Sequence, residues 1–427
     1  MSIRSVARRW WLGALLAAAG ALSGARPAAA EEPSATLRLD LREAARRGAA
    51  HGPELAVARA PLPAIHQARR AAEVPLPTPP RLSLVAGGRH GAAGNGPELS
   101  VTVMQDIPLA RVGGARRQVT ASLAEAVRLD TRSAEERGAA RAALGWVGLA
   151  EAERVKALRE DARAQAEALL RLAELRVRAG VADPLEGELA RAELATARAA
   201  ALDAEGLVFE AAAELRFAVG LAPDAAITAD GDVEALQDRA ADEAAVLARV
   251  LREQPALLGL AARRTAAQDD ARLTLAMQAP SLSVGAGYMR EGTGDQVWSA
   301  LLTVPLPFMH PGAFDAARMR ASAAIYDAEH GRARAELARE VHLVVHEREH
   351  ARELFQALGG VLGPSKEALR LATAQLGAGT LDIGRVLQAR ARVLAAAEQR
   401  TRAAADALRA DVRLDALQGT LVPRTVR

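Results

Sequence analysis

The chain has no cysteine. That absence excludes a disulfide scaffold, a thiolate zinc or iron–sulfur site, and a lipid carried on a cysteine. Aromatic residues make up only 3% of the 427 residues. What fills their place is Ala, Leu, Arg and Glu, a composition of long helices rather than of collagen-like or disordered chain. Charge of one sign is also lacking. The formal net charge is +3, and residues 1–30 hold four arginines (Arg4, Arg8, Arg9, Arg26) and no acid, so without them it is −1. A chain that close to neutral has no global basic field to gather nucleic acid. After residue 30 no stretch reaches eighteen apolar residues, so a membrane-spanning helix is not expected. Any membrane-embedded part has to be made of strands.

The first thirty residues read as an export signal. Met1–Arg9 is a positive n-region, Trp10–Gly24 an apolar run, and Ala28-Ala29-Ala30 an A-x-A cleavage site. The rest is written twice. Pro80-Arg81-Leu82-Ser83-Leu84 returns as Pro280-Ser281-Leu282-Ser283-Val284, offset by 200. Asp106-Ile107-Pro108-Leu109 returns near Pro305-Leu306-Pro307-Phe308. Leu170-Arg171-Leu172-Ala173 with Gly180 and Asp183 returns as Leu369-Arg370-Leu371-Ala372 with Gly379 and Asp382, offset by 199. Gly52-Pro53-Glu54-Leu55 pairs with Gln254-Pro255-Ala256-Leu257.

Each copy has the same expected anatomy. A helical pattern comes first, from Leu39 to Glu73 and from Asp242 to Met277. Two alternating runs follow. Apolar residues fall on odd positions in Leu99–Met104 and on even positions in Leu282–Tyr288 and Trp298–Val304, which puts each set on one face of a strand. The opposite face is Ser, Thr and Gly, suited to lining water. The glycine-rich Gly87–Gly91 and Glu291–Asp295 are the expected hairpin turns. Gly114–Ala179 contains no proline and reads as one helix of about 100 Å. A return helix runs from Pro184 to about Val219. The second copy has a descending helix from about Ala313 to Gln375, expected to break or bend at Gly359, Gly360, Gly363 and Pro364, and a return helix from Ile383 to Leu417.

The fold class is therefore mainly α with a small β part: duplicated long helical hairpins forming a coiled-coil tunnel, plus four strands per chain. The expected divisions are 1–30 signal peptide, 31–79 N-terminal segment and first ascending helix, 80–109 first β-hairpin and 110–222 first long helical hairpin. Then come 223–279 equatorial connection and second ascending helix, 280–308 second β-hairpin and 309–427 second long hairpin and C-terminus. Four strands cannot close a barrel, membrane barrels begin at about eight strands, and open edges are not viable in lipid. If the strands sit in a membrane, several copies must pool them.

At this point the sequence resembles the TolC family of outer-membrane factors, nearest the cation-efflux type. The resemblance is carried by Leu39-Asp40-Leu41-Arg42-Glu43-Ala44 with His51-Gly52-Pro53-Glu54-Leu55; by Val304-Pro305-Leu306-Pro307-Phe308 with Gly312; and by Leu362–Leu369, Gly377–Asp382 and Val386–Arg390. It implies a passive homotrimeric exit duct with twelve strands from three subunits, partnered by a periplasmic adaptor (membrane fusion protein) and an inner-membrane pump of an efflux or type I secretion system. The implied location is the outer membrane, with outer-membrane lipid around the barrel and the helices in the periplasm. No cofactor, enzymatic activity or nucleic-acid partner is implied. The family's tunnel tip maps onto Gly180, Asp183, Glu186, Gly379, Asp382, Arg385 and Gln388. Some members carry acids where this chain has Arg385 and Gln388, so an ion pair of Arg385 with Glu186 or Asp183 is the expected latch. The other architecture compatible with long hairpins is a periplasmic coiled-coil adaptor or scaffold, which would normally carry one hairpin rather than two.

His342, His346 and His350 stand at i, i+4 and i+8, a spacing that can hold a metal but lacks the order of a zinc protease. A polar helix face is the expected reading, and no metal is assigned. His310 beside Pro311 is expected in a turn.

Overall fold

The structure, a computed structural model, describes residues 36–422 except 75, 77, 93, 237–241, 280 and 305–312. The signal segment 1–30, Pro280, and the Pro305–Phe308, His310 and Gly312 junction lie outside the described residues.

Two rods dominate. Helix α4, Val112–Arg178, runs 67 residues, and α8, Ala313–Gly377, runs 65. Each returns through a shorter antiparallel partner, α5 (Pro184–Ala218) and α9 (Ile383–Gln418). Both turns are built alike. At the first, Gly180 takes φ +70, Val181 N–H donates to the Arg176 carbonyl, and Asp183 caps α5 by accepting from Leu185 N–H. At the second, Gly379 takes φ +76, Thr380 N–H donates to the Gln375 carbonyl, and Asp382 accepts from Arg385 N–H. This is the left-handed glycine stop followed by an acidic N-cap. The return helices end in the same way, at Gly220 (φ +71) and Gly419 (φ +65). Equivalent stops one repeat apart are what a duplicated chain produces.

The first helical pattern of each copy is interrupted. It becomes α1 (Leu41–His51), α2 (Pro53–Arg59) and α3 (Leu62–Ala72) in the first copy, and α6 (Glu243–Glu253) and α7 (Pro255–Ala276) in the second. The breaks fall at Pro53, Pro61 and Pro255, where the missing amide suits a helix start. Asp40 and Asp242 cap α1 and α6.

The expected break in α8 does not occur: the helix continues through Pro364. The carbonyl that the proline ring would crowd belongs to Gly360, which has no side chain to compete for the space. Buried Leu358 and Leu376 pin the helix on both sides of the proline.

A small parallel pair, β1 (Leu37–Leu39) and β4 (Ile227–Ala229), crosses α4 near its middle. There Trp146 donates its indole N–H to the Leu39 carbonyl at 2.6 Å, and Leu149, Leu215, Val219 and Val233 close a core around it. Helix α7 packs against both α4 and α8, and α4 also packs on α1, α5 and α9. Among the described residues no helix is long and apolar enough to cross a membrane.

The remaining strands form one antiparallel sheet: β2 (Arg81–Gly91), β3 (Gly94–Pro108), β5 (Ser281–Arg290) and β6 (Gln296–Thr303), in the order β2-β3-β5-β6. The second turn is at Glu291–Asp295 as expected. The first is not at Gly87–Gly91. Those residues continue β2, with Gly87 opposite Glu98 and Gly91 opposite Gly94, so the reversal falls after Gly91. Glycine adopts extended backbone as readily as a turn, and the Leu82–Val103 and Leu84–Val101 pairs fix the register.

Candidate functional site

The sheet register sorts its side chains into two faces, because directly paired residues point the same way. One face carries Leu82 and Leu84 from β2, Leu99, Val101 and Val103 from β3, Val284, Ala286 and Tyr288 from β5, and Trp298, Ala300 and Leu302 from β6. This confirms the alternation read from the sequence. The face is apolar and open: Trp298 is 78% exposed and Leu302 68%. Its polar members are Gln105, Arg290 and Gln296, with His90 and Asn95 beyond them toward the loop end. The opposite face holds Ser83, Ser100, Thr102, Ser283, Ser299 and Thr303 with Gly87, Gly285 and Gly287, and Val85, Met104, Met289, Val297 and Leu301 among them.

Charges on that second face sit at its two ends, and they are paired. At the helix end Asp106 accepts from Arg81 at 2.7 Å and from the Ser283 hydroxyl at 2.5 Å, joining β2, β3 and β5. At the loop end Arg89 meets Glu98 at 2.7 Å and Glu291 at 3.4 Å, joining the two hairpins. Within the chain β2 and β6 are edge strands, each with one side unpaired.

At the far ends of the rods the two hairpin tips pack on each other. Leu169 and Ala173 of α4, Ala190 of α5, Leu376 of α8, and Ile383 and Val386 of α9 form a buried cluster. Arg176 lies on the same stripe of α4 as Ala166, Leu169 and Ala173. It donates to the Leu376 carbonyl of the second hairpin and stands 3.4 Å from Glu186 of its own. Glu186 is therefore paired with Arg176 and not with Arg385, which corrects the expected latch. Arg385 is exposed, its backbone N–H bound to Asp382, and its side chain makes no ion pair within the described residues. Gly180, Asp183, Gly379, Asp382 and Gln388 are all at the tip, with Asp183 and Asp382 serving as helix caps.

Farther up the rods the hairpins are joined by further arginine contacts. Arg390 of α9 donates to the Ala162 carbonyl of α4 at 2.6 Å. Arg159 of α4 meets Glu398 at 2.9 Å and Asp203 at 2.8 Å. Arg409 pairs with Glu151, and Arg400 ties α9 to Glu234 in the segment after β4. Sequence reading missed these contacts. The available signal was an arginine on an otherwise apolar helical stripe: Arg176 after Leu169 and Ala173, and Arg390 after Ile383 and Val386.

His342, His346 and His350 all lie on the exposed side of α8. His342 Nδ1 is 3.0 Å from Glu243, and the rings of His346 and His350 stack with centroids 6.4 Å apart. Among the described residues no group of three or more His, Asp or Glu side chains is arranged to hold a metal.

Residues 246–420 match the family model described as outer membrane efflux protein. The chain is TolC-like. Solved structures of the same fold include VceC of Vibrio cholerae, with 18% identity, a TM-score of 0.70, and coverage of 89% of this chain and 96% of that one. The Campylobacter jejuni CmeC outer membrane channel follows at 14% identity and a TM-score of 0.71, covering 91% and 87%. CusC is similar, at 14%, 0.71, 90% and 92%. No curated protein matches in sequence. At these identities the structural likeness establishes a TolC-like fold over the chain, and the family match places its second repeat among the outer membrane efflux proteins.

Proposed function

We propose that the protein is the outer-membrane channel of an efflux or secretion system, a passive exit duct built from three copies. The observation that carries this reading is the sheet: an open apolar face, a second face rich in Ser, Thr and Gly with its charges paired at the ends, and two unpaired edges. Strands β2, β3 and β5, of 11, 15 and 10 residues, are long enough to cross a bilayer, and β6, of 8, is about one residue shorter than that span. Edge groups cannot stay unpaired in hydrocarbon, so β2 of one copy joins β6 of the next. Twelve strands from three copies close the ring. The long helical hairpins continue it as a tube into the periplasm, where an adaptor and an inner-membrane pump engage it.

The helical tip is the gate in this reading. The Leu169–Val386 cluster and Arg176 hold the two hairpins of a protomer together, and opening requires them to part in an iris-like shift. Among the described residues the charges of the sheet's lumenal face are all paired, and in this reading the choice of substrate falls to the partner pump.

Cell fractionation and bilayer recording test the reading. The expected result is a detergent-extracted outer-membrane oligomer of three times the chain mass that conducts ions. Trp298→Asp should abolish membrane insertion, since a charge on the lipid face is costly, while Ser299→Asp on the opposite face should preserve it. A soluble periplasmic monomer would refute the proposal and favour a scaffold.

A further inference from the structure

Between the knot around Trp146 and the tip, α4 and α8 each pack on α9. A groove lies among them, lined by side chains from 154–172, 362–374 and 386–400 together with Glu193 and Glu234; of its three acids, Asp161, Glu193 and Glu234, the last is paired with Arg400 and Arg154. It contains two adjoining cavities, of about 360 and 660 Å³, which share Gln165, Lys366, Leu369 and Arg390. The Arg390 side chain is only 8% exposed. Its Nη2 donates to the Ala162 carbonyl, but Nη1 has no hydrogen-bond partner. The carboxylate nearest to Nη1, Glu193, is 3.8 Å away, beyond hydrogen-bond reach. Burial pulls the guanidinium below its ordinary value, against the opposing effect of Glu193. A buried donor left unmade in a cavity calls for a partner. Lys366 adds a second cation at the exposed rim, and Leu169, Leu172 and Val386 make the adjoining wall apolar.

We propose that this groove binds a small amphipathic carboxylate, its headgroup on Arg390 Nη1 and Lys366 and its apolar body along Leu169, Leu172 and Val386. Arginine offers a carboxylate a planar pair of donors. The volumes are those of small-ligand sites. A docked helix about 10 Å wide and three turns long would need roughly 1,300 Å³, more than the two cavities together contain. The ligand would touch α4 of the first hairpin and both helices of the second, and so would join them.

The test is photolabelling of the purified full chain in detergent with a diazirine-bearing decanoic acid, followed by peptide mapping. Labelling is expected on peptides spanning 165–172 and 366–374. Excess decanoate should compete, and decanol should not. Arg390→Gln should lower the labelling about tenfold, and Arg390→Lys should restore part of it. Arg171→Gln, an exposed change on α4, should leave it intact. Competition by decanol as strong as by decanoate in the unaltered protein would overturn the proposal as apolar partitioning, even if the Arg390 variants fail to fold. So would labelling elsewhere only, or protection of the groove by an adaptor's helix but not by decanoate. The site lies within one chain, so the result does not depend on whether the protein conducts.

Discussion

Helices α4 and α8 are equivalent rods of one repeat, nearly equal in length, yet they are buried very differently. Helix α4 is enclosed by α1, α5, α7 and α9, with a continuous buried series from Val119 through Ala126, Ala134 and Ala142 to Ala150. Its contact with α1 is so close that a Cβ at Gly138 would lie 2.4 Å from the Gly48 carbonyl oxygen. Helix α8 has few fully buried positions, and Phe314, Ile325, Leu343, Leu354 and Val361 are left exposed. Their spacings of 11, 18, 11 and 7 residues place them on one face of the helix. Duplication gave two rods of one length, and their surroundings then diverged. One became the spine of the subunit. The other keeps an apolar stripe for a neighbour, which the proposed ring of copies supplies.

Four experiments can break or sharpen this contrast. The largest effect is expected from Gly138→Leu. It forces α1 away from α4 and should cost about 3 kcal/mol or more in denaturant unfolding. Next, Val361→Glu together with Leu354→Glu should leave the chain folded by circular dichroism but shift it from oligomer to monomer by native mass measurement. If the oligomer persists, the α8 stripe is not an interface. Third, Arg176→Leu removes the donor to the Leu376 carbonyl, and closed-state conductance should rise about tenfold or more, the loss of a charged hydrogen bond being worth about 1.5–3 kcal/mol. An unchanged conductance would remove Arg176 from the gate.

The smallest effect concerns Glu136, buried on α4 beside Leu421 and Val422. Burial pushes its carboxyl up to about 7, against the pull of Arg132 and of the Val422 and Leu421 backbone. The folded chain therefore holds a proton that the unfolded chain gives up near the ordinary value of 4.5. Stability from this group is full below about 4.5 and declines as pH rises through 7. Melting curves between pH 5 and 8 should show this decline, and Glu136→Gln should flatten it.

Much of the fold was legible because the rods contain few breakers and their stops are chemically explicit. Gly180 and Asp183 recur as Gly379 and Asp382, and the strands alternate cleanly through Leu99–Met104. Legibility failed where a local rule met tertiary context. Pro364 was expected to interrupt α8, but the flanking glycines and the packing on α9 absorb it. Gly87–Gly91 looked like a turn, but strand pairing held it extended. The hairpin turns lie where the repeated Gly and Asp placed them, but the ion pair expected of Arg385 is not there. Asp183 and Asp382 are needed as caps, and Glu186 has a nearer arginine one helix away, a relation set by how α4 and α5 face each other and not by spacing along the chain.

The knot at Trp146 divides α4 unequally in its support. Beyond Ala150 the helix buries only Ala166, Leu169 and Ala173. From Trp146 to Arg178 is a stiff arm of about 48 Å, so a tilt of only 5° at that fulcrum sweeps its end through roughly 4 Å. A partner need not grip the extremity to displace it; leverage applied near the waist would suffice.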